Sequence, residues 1–408
     1  MPVSPPKTTP LTTPRTPGSQ VPVGLLAFSV GTIVANIYYA QPLLAEMADH
    51  FGVSISRIGF VAMLSQMGTA TGMFLFVPLG DNHERRSLIT TLLLAAFVSL
   101  CCMATAQNIL WLEIAAFAVG ATASTVHVVV PLAAHLAPDE SRGRVVGTVF
   151  SGLLLGILLA RTFSGIAGSL FGWRSVYAIA AACMLILALL LRIRLPECPP
   201  QHRLTWLQLI RSIGDLVRAH PVLRESALLG ATLFCAFSAF WTTLVFLLQA
   251  PPYHYGPSVA GLFGLIGAAG ALCAPFAGHF IDQRGPRSTI LAALVLTLLS
   301  FALMAVFGKI LVGLIVGVIL LDLGTQAGHV ANQTRIYSID PGARSRLNTV
   351  YMFVYFIGGA LGSYFGAIAW VHFGWVGVCG LAMVVLACSL TTYLAFGART
   401  VMGRQASA

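Results

Sequence analysis

The chain has 408 residues, of which 57% are hydrophobic and only 9% charged, with a formal net charge of +10 and a mean hydropathy of +0.86. Soluble domains carry about 25% charged residues, so an ordinary water-soluble protein is excluded and most of the chain must sit in lipid. Its apolar runs continue for about 20 residues, whereas barrel strands alternate polar and apolar, so the expected fold is an all-α membrane protein.

Residues 1–20 are rich in Pro and Thr and lack the apolar core of a signal peptide, which predicts a disordered N-terminal tail followed by an uncleaved helix. Twelve spans are then predicted near 22–45, 56–79, 87–106, 109–136, 145–170, 174–193, 226–249, 258–281, 288–307, 310–335, 347–370 and 375–397. They group into a first bundle over 21–193, a polar central loop over 194–224 and a second bundle over 225–397, with a short tail at 398–408. An even number of spans puts both termini on one side. That side receives nineteen of the 23 Lys and Arg residues, the other receives Arg57, Arg174 and Lys309, and Arg161 falls inside a span. By the positive-inside rule the arginine-rich side is cytoplasmic. The basic balance is thus a topology signal and implies no nucleic-acid partner. The eight cysteines have no metal-ligand spacing and read as small apolar fillers, so no metal is expected.

Along the spans, polar residues are few and therefore informative. In the first, Asn36, Tyr38, Tyr39 and Gln41 cannot share a direction, since neighbouring positions diverge by about 100°; Asn36 and Tyr39 share one face and are candidates for a substrate cavity. After the second span, Asp81 stands beside Arg85 and Arg86 in a short loop, where charge and helix-dipole interactions can hold helix ends together as a cytoplasmic gate. Glu113 lies one turn inside the fourth span and is a candidate for proton handling, with His127 lower on a similar face. The fifth span carries Gly152, Gly156, Ala160, Ser164 and Gly168 at steps of four, a ridge that permits close helix approach. It also carries Arg161 near its middle, where an arginine costs about 2.5–3.5 kcal/mol to insert and must face a partner or a wet cavity.

The second half repeats the first. At an offset of 202, Phe171-Gly172-Trp173 faces Phe373-Gly374-Trp375, His127 faces His329, Gly156 faces Gly358, and Arg142 and Arg144 face Arg344 and Arg346. At 201, Asp81 and Arg86 face Asp282 and Arg287, so Gly278, Asp282, Arg284 and Arg287 form a second gate loop. Parallel six-helix repeats place a binding site near the midplane between them. Trp241 in the seventh span, and Asp322, Gln326, His329 and Gln333 on one face of the tenth, are candidates to line it. Whether Asp322 holds a proton would depend on how dry it is and which cation stands near it, which is what proton coupling requires.

The loops 78–86 and 278–287 resemble the loop motif of the major facilitator superfamily, and the resemblance spans residues 22–397. The first copy has Val77 and Glu84 where the pattern has glycines. Asn36-Ile-Tyr-Tyr-Ala-Gln-Pro-Leu-Leu44 is similar to a bacterial branch of small-molecule exporters within the proton-coupled drug-efflux group; in that group's terms, Ala116 replaces an arginine of the fourth helix and Ala160-Arg161 a Gly-Pro pair of the fifth. The resemblance implies a monomeric carrier in the bacterial inner membrane that exchanges a small organic molecule for protons, with Asp322 and Glu113 as proton-coupling candidates. The alternatives are an uptake symporter or facilitator for an anionic metabolite, and a membrane sensor that transports nothing. The sequence holds no phosphate-binding loop, zinc-protease motif or nucleophile elbow. No enzyme activity and no cofactor are therefore expected, and the energy is expected to come from a proton gradient.

Overall fold

The computed structural model describes residues 22–198, 206–271, 274–340 and 343–405, and of Asp81, Asn82, Asp139, Trp206, Leu207, Leu209, 268–271, 274–280, Asp282 and 396–405 the backbone only. The expected tail of residues 1–20 and part of the central loop lie outside the described residues. All regular structure among the described residues is helical.

The first span enters as α1 (Val23–Tyr38), breaks into a 3-10 turn at Gln41–Leu43 and continues as α2 (Leu44–Phe51). Pro42 causes the break, because its ring removes a donor and collides with the carbonyl four residues back. The second and third spans are α3 (Ile55–Asn82) and α4 (Arg85–Ala104). The fourth is again in two pieces, α5 (Ile109–Ala123) and α6 (Val126–Leu136). At its break the Ser124 and Thr125 hydroxyls each donate to a carbonyl three residues back at 2.6 Å, which bends the ladder. α7 (Arg142–Phe171) and α8 (Trp173–Arg194) complete the first bundle.

The central loop contains a helix the apolar pattern did not announce, α9 (Trp206–Ala219). Ile213 on it is buried while Arg211, Asp215 and Arg218 are exposed, so it is amphipathic and too polar to register as a span. The second bundle comprises α10 (Pro221–Gln249), α11 (Pro257–Ala271), α12 (Ala274–Phe307), α13 (Leu311–Tyr337) and α14 (Arg344–Gln405). α12 breaks at Gly285 (φ 78°) and α14 at Gly374 (φ 60°), in a region of backbone space that glycine enters without penalty. Ten stretches are long and apolar enough to cross a bilayer. One of them runs 52 residues, far more than the about 20 a single crossing needs, and so makes two crossings around Gly374. Pro257–Gly267 opens the remaining crossing, which gives twelve. The last helix continues to Gln405, so most of the expected C-terminal tail at 398–408 has helical backbone.

The repeat is visible in the packing. α1 lies on α7, and α10 lies on the first half of α14. In both places the crossing is so close that a Cβ on the repeat-related Gly156 or Gly358 would strike backbone, that of Gly31 or Ala231. The ridge of small residues in α7 is therefore an intrabundle contact. Between bundles, α3 faces α14 and α7 faces α11. The α7–α11 contact uses the neighbouring face: a Cβ on Gly165 would stand 2.5 Å from the Pro257 carbonyl oxygen, and Thr162 donates to the Gly261 carbonyl at 3.0 Å.

Candidate functional site: a charged pair between the bundles

Arg161 is 2% exposed and sits where α7 meets the second bundle. Its Nε donates to Oε1 of Gln41 at 2.6 Å, a contact supplied by the Pro42 break in the first span. The guanidinium lies 4.0 Å from the Trp241 ring centroid, 4.7 Å from that of Tyr38 and 5.7 Å from that of Phe237. Such stacking is a substantial part of what a desolvated cation can gain without an anion. Phe234, Phe237, Ser238 and Trp241 recur at three- and four-residue steps along α10, which brings them to one face.

Opposite stands Asp322 of α13, 5% exposed and within electrostatic reach of Arg161. The two do not form an ion pair within 4.0 Å among the described residues, and Nη2 of Arg161 and Oδ2 of Asp322 are both buried without a hydrogen-bond partner. Nε1 of Trp241, Oγ of Ser238 and Oγ1 of Thr325 are unpartnered as well. α11 packs against both residues. A Cβ on Gly264 would stand 3.0 Å from that of Arg161, and one on Gly267 would stand 3.1 Å from both carboxylate oxygens of Asp322 and from the Trp241 ring. An unsatisfied buried charge is costly, and here two of opposite sign are held side by side.

Toward the arginine-rich end the site continues as a polar and aromatic strip. His329 is half-buried, its Nδ1 is 3.1 Å from the Tyr351 hydroxyl, and its ring centroid is 4.9 Å from that of Tyr355, which stacks at 4.1 Å on Phe234. His127, its repeat partner, is half-buried in α6 just past the break and within electrostatic reach across the bundles. Gln326 is half-buried on the same face as Asp322. Gln333 lies further along and donates to Asn348 at 3.3 Å.

Other candidates lie elsewhere. Asn36 points its amide at the Met184 sulfur at 3.4 Å and Tyr39 packs on Phe163 with centroids 5.8 Å apart, so both turn into the first bundle. Tyr38 and Gln41, the adjacent face, are the residues that reach Arg161. The wheel offers both pairs and only the position of α7 chooses between them. Glu113 is at the end of the fourth span away from the arginine-rich face. It forms a 2.8 Å ion pair with Arg57, whose side chain is 47% exposed against 6% for Glu113. The site residues missing from the sequence candidates are Tyr38, Gln41, Phe237 and Tyr355. Tyr38 and Gln41 lie on the other polar face of the first span, which the wheel alone does not select, whereas Phe237 and Tyr355 are ordinary packing material in a span and nothing local marked them.

The gate loops fasten each bundle at the arginine-rich end. Glu84 caps α4, accepting from the backbone N–H of Arg86 at 2.9 Å and of Ser87 at 2.7 Å, and it also accepts from the N–H of Cys198 at 3.0 Å. Arg86 reaches the Leu195 carbonyl at 3.3 Å and Glu197 at 2.6 Å. Partial burial acts to raise the Glu84 pKa, but the three N–H donors and the Arg86 charge outweigh it and hold the carboxyl below its ordinary value of 4.5. In the second copy the Tyr393 hydroxyl donates to the Arg287 carbonyl at 3.0 Å, and the Arg287 guanidinium lies over that ring. Each loop thus ties to the sixth crossing of its own bundle. Arg85 donates to the Gly80 carbonyl at 3.0 Å, and Arg284 is exposed. The side chains of Asp81 and Asp282 and the surroundings of Gly278 lie outside the described residues.

Comparison with known proteins agrees with this architecture. The model of the Major Facilitator Superfamily matches residues 25–308 and 228–407. The chain is 43% identical over 369 residues to the uncharacterized transporter YgaY of Escherichia coli O157:H7, covering 90% of this chain and 94% of the relative. It is 34% identical over 396 residues to a probable transporter of Streptomyces coelicolor, covering 94% and 92%. Among solved structures, a bacterial homologue of the human lysosomal transporter Spinster, crystallised inward-facing and unoccupied, superposes with a TM-score of 0.71 at 16% identity, covering 92% of this chain and 93% of that one. A twelve-helix chain with two parallel bundles and a charged site between them, matched over nearly its whole length, belongs to the major facilitator superfamily of membrane transporters.

Proposed function

We propose that the chain exports a small organic molecule from a bacterial cell in exchange for protons. In this reading it is a monomer in the inner membrane with the arginine-rich face and both termini in the cytoplasm. The observation that carries the reading is the pair Arg161 and Asp322, buried on opposite bundles, in electrostatic reach of one another and yet unbonded. Whether Asp322 holds a proton is set by its dryness and by the nearby cation, and anything that enters between them changes both. A carboxylate placed there can exchange a proton for a substrate as the bundles move against one another. The resemblance of residues 36–44 to an exporter branch supports the outward direction.

The test is compound-induced proton release from everted membrane vesicles energised to an acid interior and screened with a chemically broad library. Native vesicles are expected to release protons with some compounds, and Asp322→Asn vesicles with equal folded protein are expected to release none. Unchanged release in that variant would sink the assignment. The unpartnered Nη2 of Arg161 favours a second reading, uptake or facilitation of an anion; accumulation of labelled anionic metabolites by whole cells, without proton release, would select it.

A further inference from the structure

The unpartnered atoms of the central site come in two kinds. Nη2 of Arg161 and Nε1 of Trp241 can only donate, and their groups are stacked 4.0 Å apart. Oδ2 of Asp322, when ionised, can only accept. Building on the exchange reading above, we propose that the carried molecule is a zwitterion with an apolar body, its carboxylate taken by Arg161 and Trp241 and its ammonium by Asp322.

The argument is one of charge balance in a dry place. Gln41 and the two flanking rings fix Arg161 at its Nε edge and on its faces, so only the far edge of the guanidinium is left to bind. Asp322 forms no ion pair with Arg161 within 4.0 Å among the described residues, and α11 passes so close that a Cβ added to Gly267 would stand 3.1 Å from both of its carboxylate oxygens. A ligand with one charge would satisfy one side and leave the other desolvated. A neutral polyol would meet both with hydrogen bonds but neutralise neither, leaving two uncompensated charges in a dry site. A zwitterion meets both at once, and its body is met by Tyr38, Phe237 and Tyr355.

This assignment also supplies the coupling. The ammonium and the proton compete for the same oxygen of Asp322, so a carrier holding one cannot hold the other. Exchange then needs no separate proton site, which accords with Glu113 being engaged by Arg57 at the far end of the molecule.

The experiment is thermal stabilisation of the detergent-purified full chain by L-phenylalanine, L-leucine, 4-aminobutyrate and 6-aminohexanoate, each compared with its N-acetyl and its carboxamide form. At least one zwitterion is expected to stabilise the chain, with both blocked forms binding at least about tenfold more weakly, the loss of one charge-assisted hydrogen bond. Asp322→Asn is expected to lose the discrimination against the N-acetyl form, and Arg161→Gln that against the carboxamide. Asp322→Glu, which keeps the carboxylate, is expected to keep its discrimination and serves if Asp322→Asn does not fold. A panel in which no zwitterion stabilises the chain, or in which both variants discriminate as the native chain does, overturns the proposal. Vesicle assays with the same compounds separate the two readings. Binding of a zwitterion without proton release overturns exchange and leaves the substrate class, whereas proton release by neutral compounds alone overturns the substrate class and leaves exchange.

Discussion

Arg161 is held by one edge and by its faces, and this division decides what a substitution there should do. Lysine keeps the charge but has neither the planar fork nor a face to stack, so it can replace the contact to Gln41 or the contact with a ligand, and not both. Arg161→Lys is expected to fold and to lose at least about tenfold in transport per folded molecule, roughly the value of one hydrogen bond to a charged group. Steady-state efflux normalised to membrane-inserted protein measures it, and efflux within twofold of native would mean the guanidinium is only a structural counter-charge. This residue was legible in the sequence because arginine in mid-span is expensive. Its cage was legible only in Trp241, because Tyr38 and Phe237 look like any other aromatic residues of a span until the helices are placed.

Helix ends show how an apparent departure from a motif can be a substitution of one device for another. Where the loop pattern has a glycine, Glu84 uses its carboxylate to cap α4 and to bind the chain just after α8. Loss of a cap costs typically about 1 kcal/mol, so Glu84→Ala should lower the unfolding temperature in detergent and loosen the Leu195–Cys198 segment to proteolysis. The pH dependence has a definite sign. Because the folded carboxyl titrates below its ordinary value of 4.5, its contribution is complete above that pH and is lost as the pH falls through the folded value. The native chain should therefore lose stability relative to Glu84→Gln between pH 5 and the folded pKa, measured as unfolding temperature against pH; parallel curves for the two chains would show that the carboxylate does not act through its charge. The spans themselves were readable from apolar length alone. The breaks at Pro42 and Ser124 and the amphipathic α9 were not, since each depends on local hydrogen bonding or a half-buried face rather than on mean hydropathy.

At the scale of the molecule, the most extensive described contacts between bundles run along α3 and α14 and between the halves of α7 and α11 that lie away from the arginine-rich end. Phe60 meets Tyr364 edge-on at 5.2 Å, and a Cβ on Gly59 would touch that of Ala367. The repeat in the sequence predicts two bundles and a candidate site between them. It could not foretell which ends touch, because both ends of a symmetric pair are built from similar residues and the choice is a property of the state. In that state Gly59 and Ala367 are neighbours across the two bundles, and alternating access requires them to part. A Gly59→Cys/Ala367→Cys chain on a background lacking the native cysteines should therefore cross-link under mild oxidation, run as a single species, and lose substrate exchange until a thiol reductant is added. Ligand-induced stabilisation should survive the cross-link, since the central site between Arg161 and Asp322 is already formed with these ends together. Exchange that continued at the native rate through an intact cross-link would mean that α3 and the first half of α14 move as one body, and that the pathway opens between α7 and α11 instead.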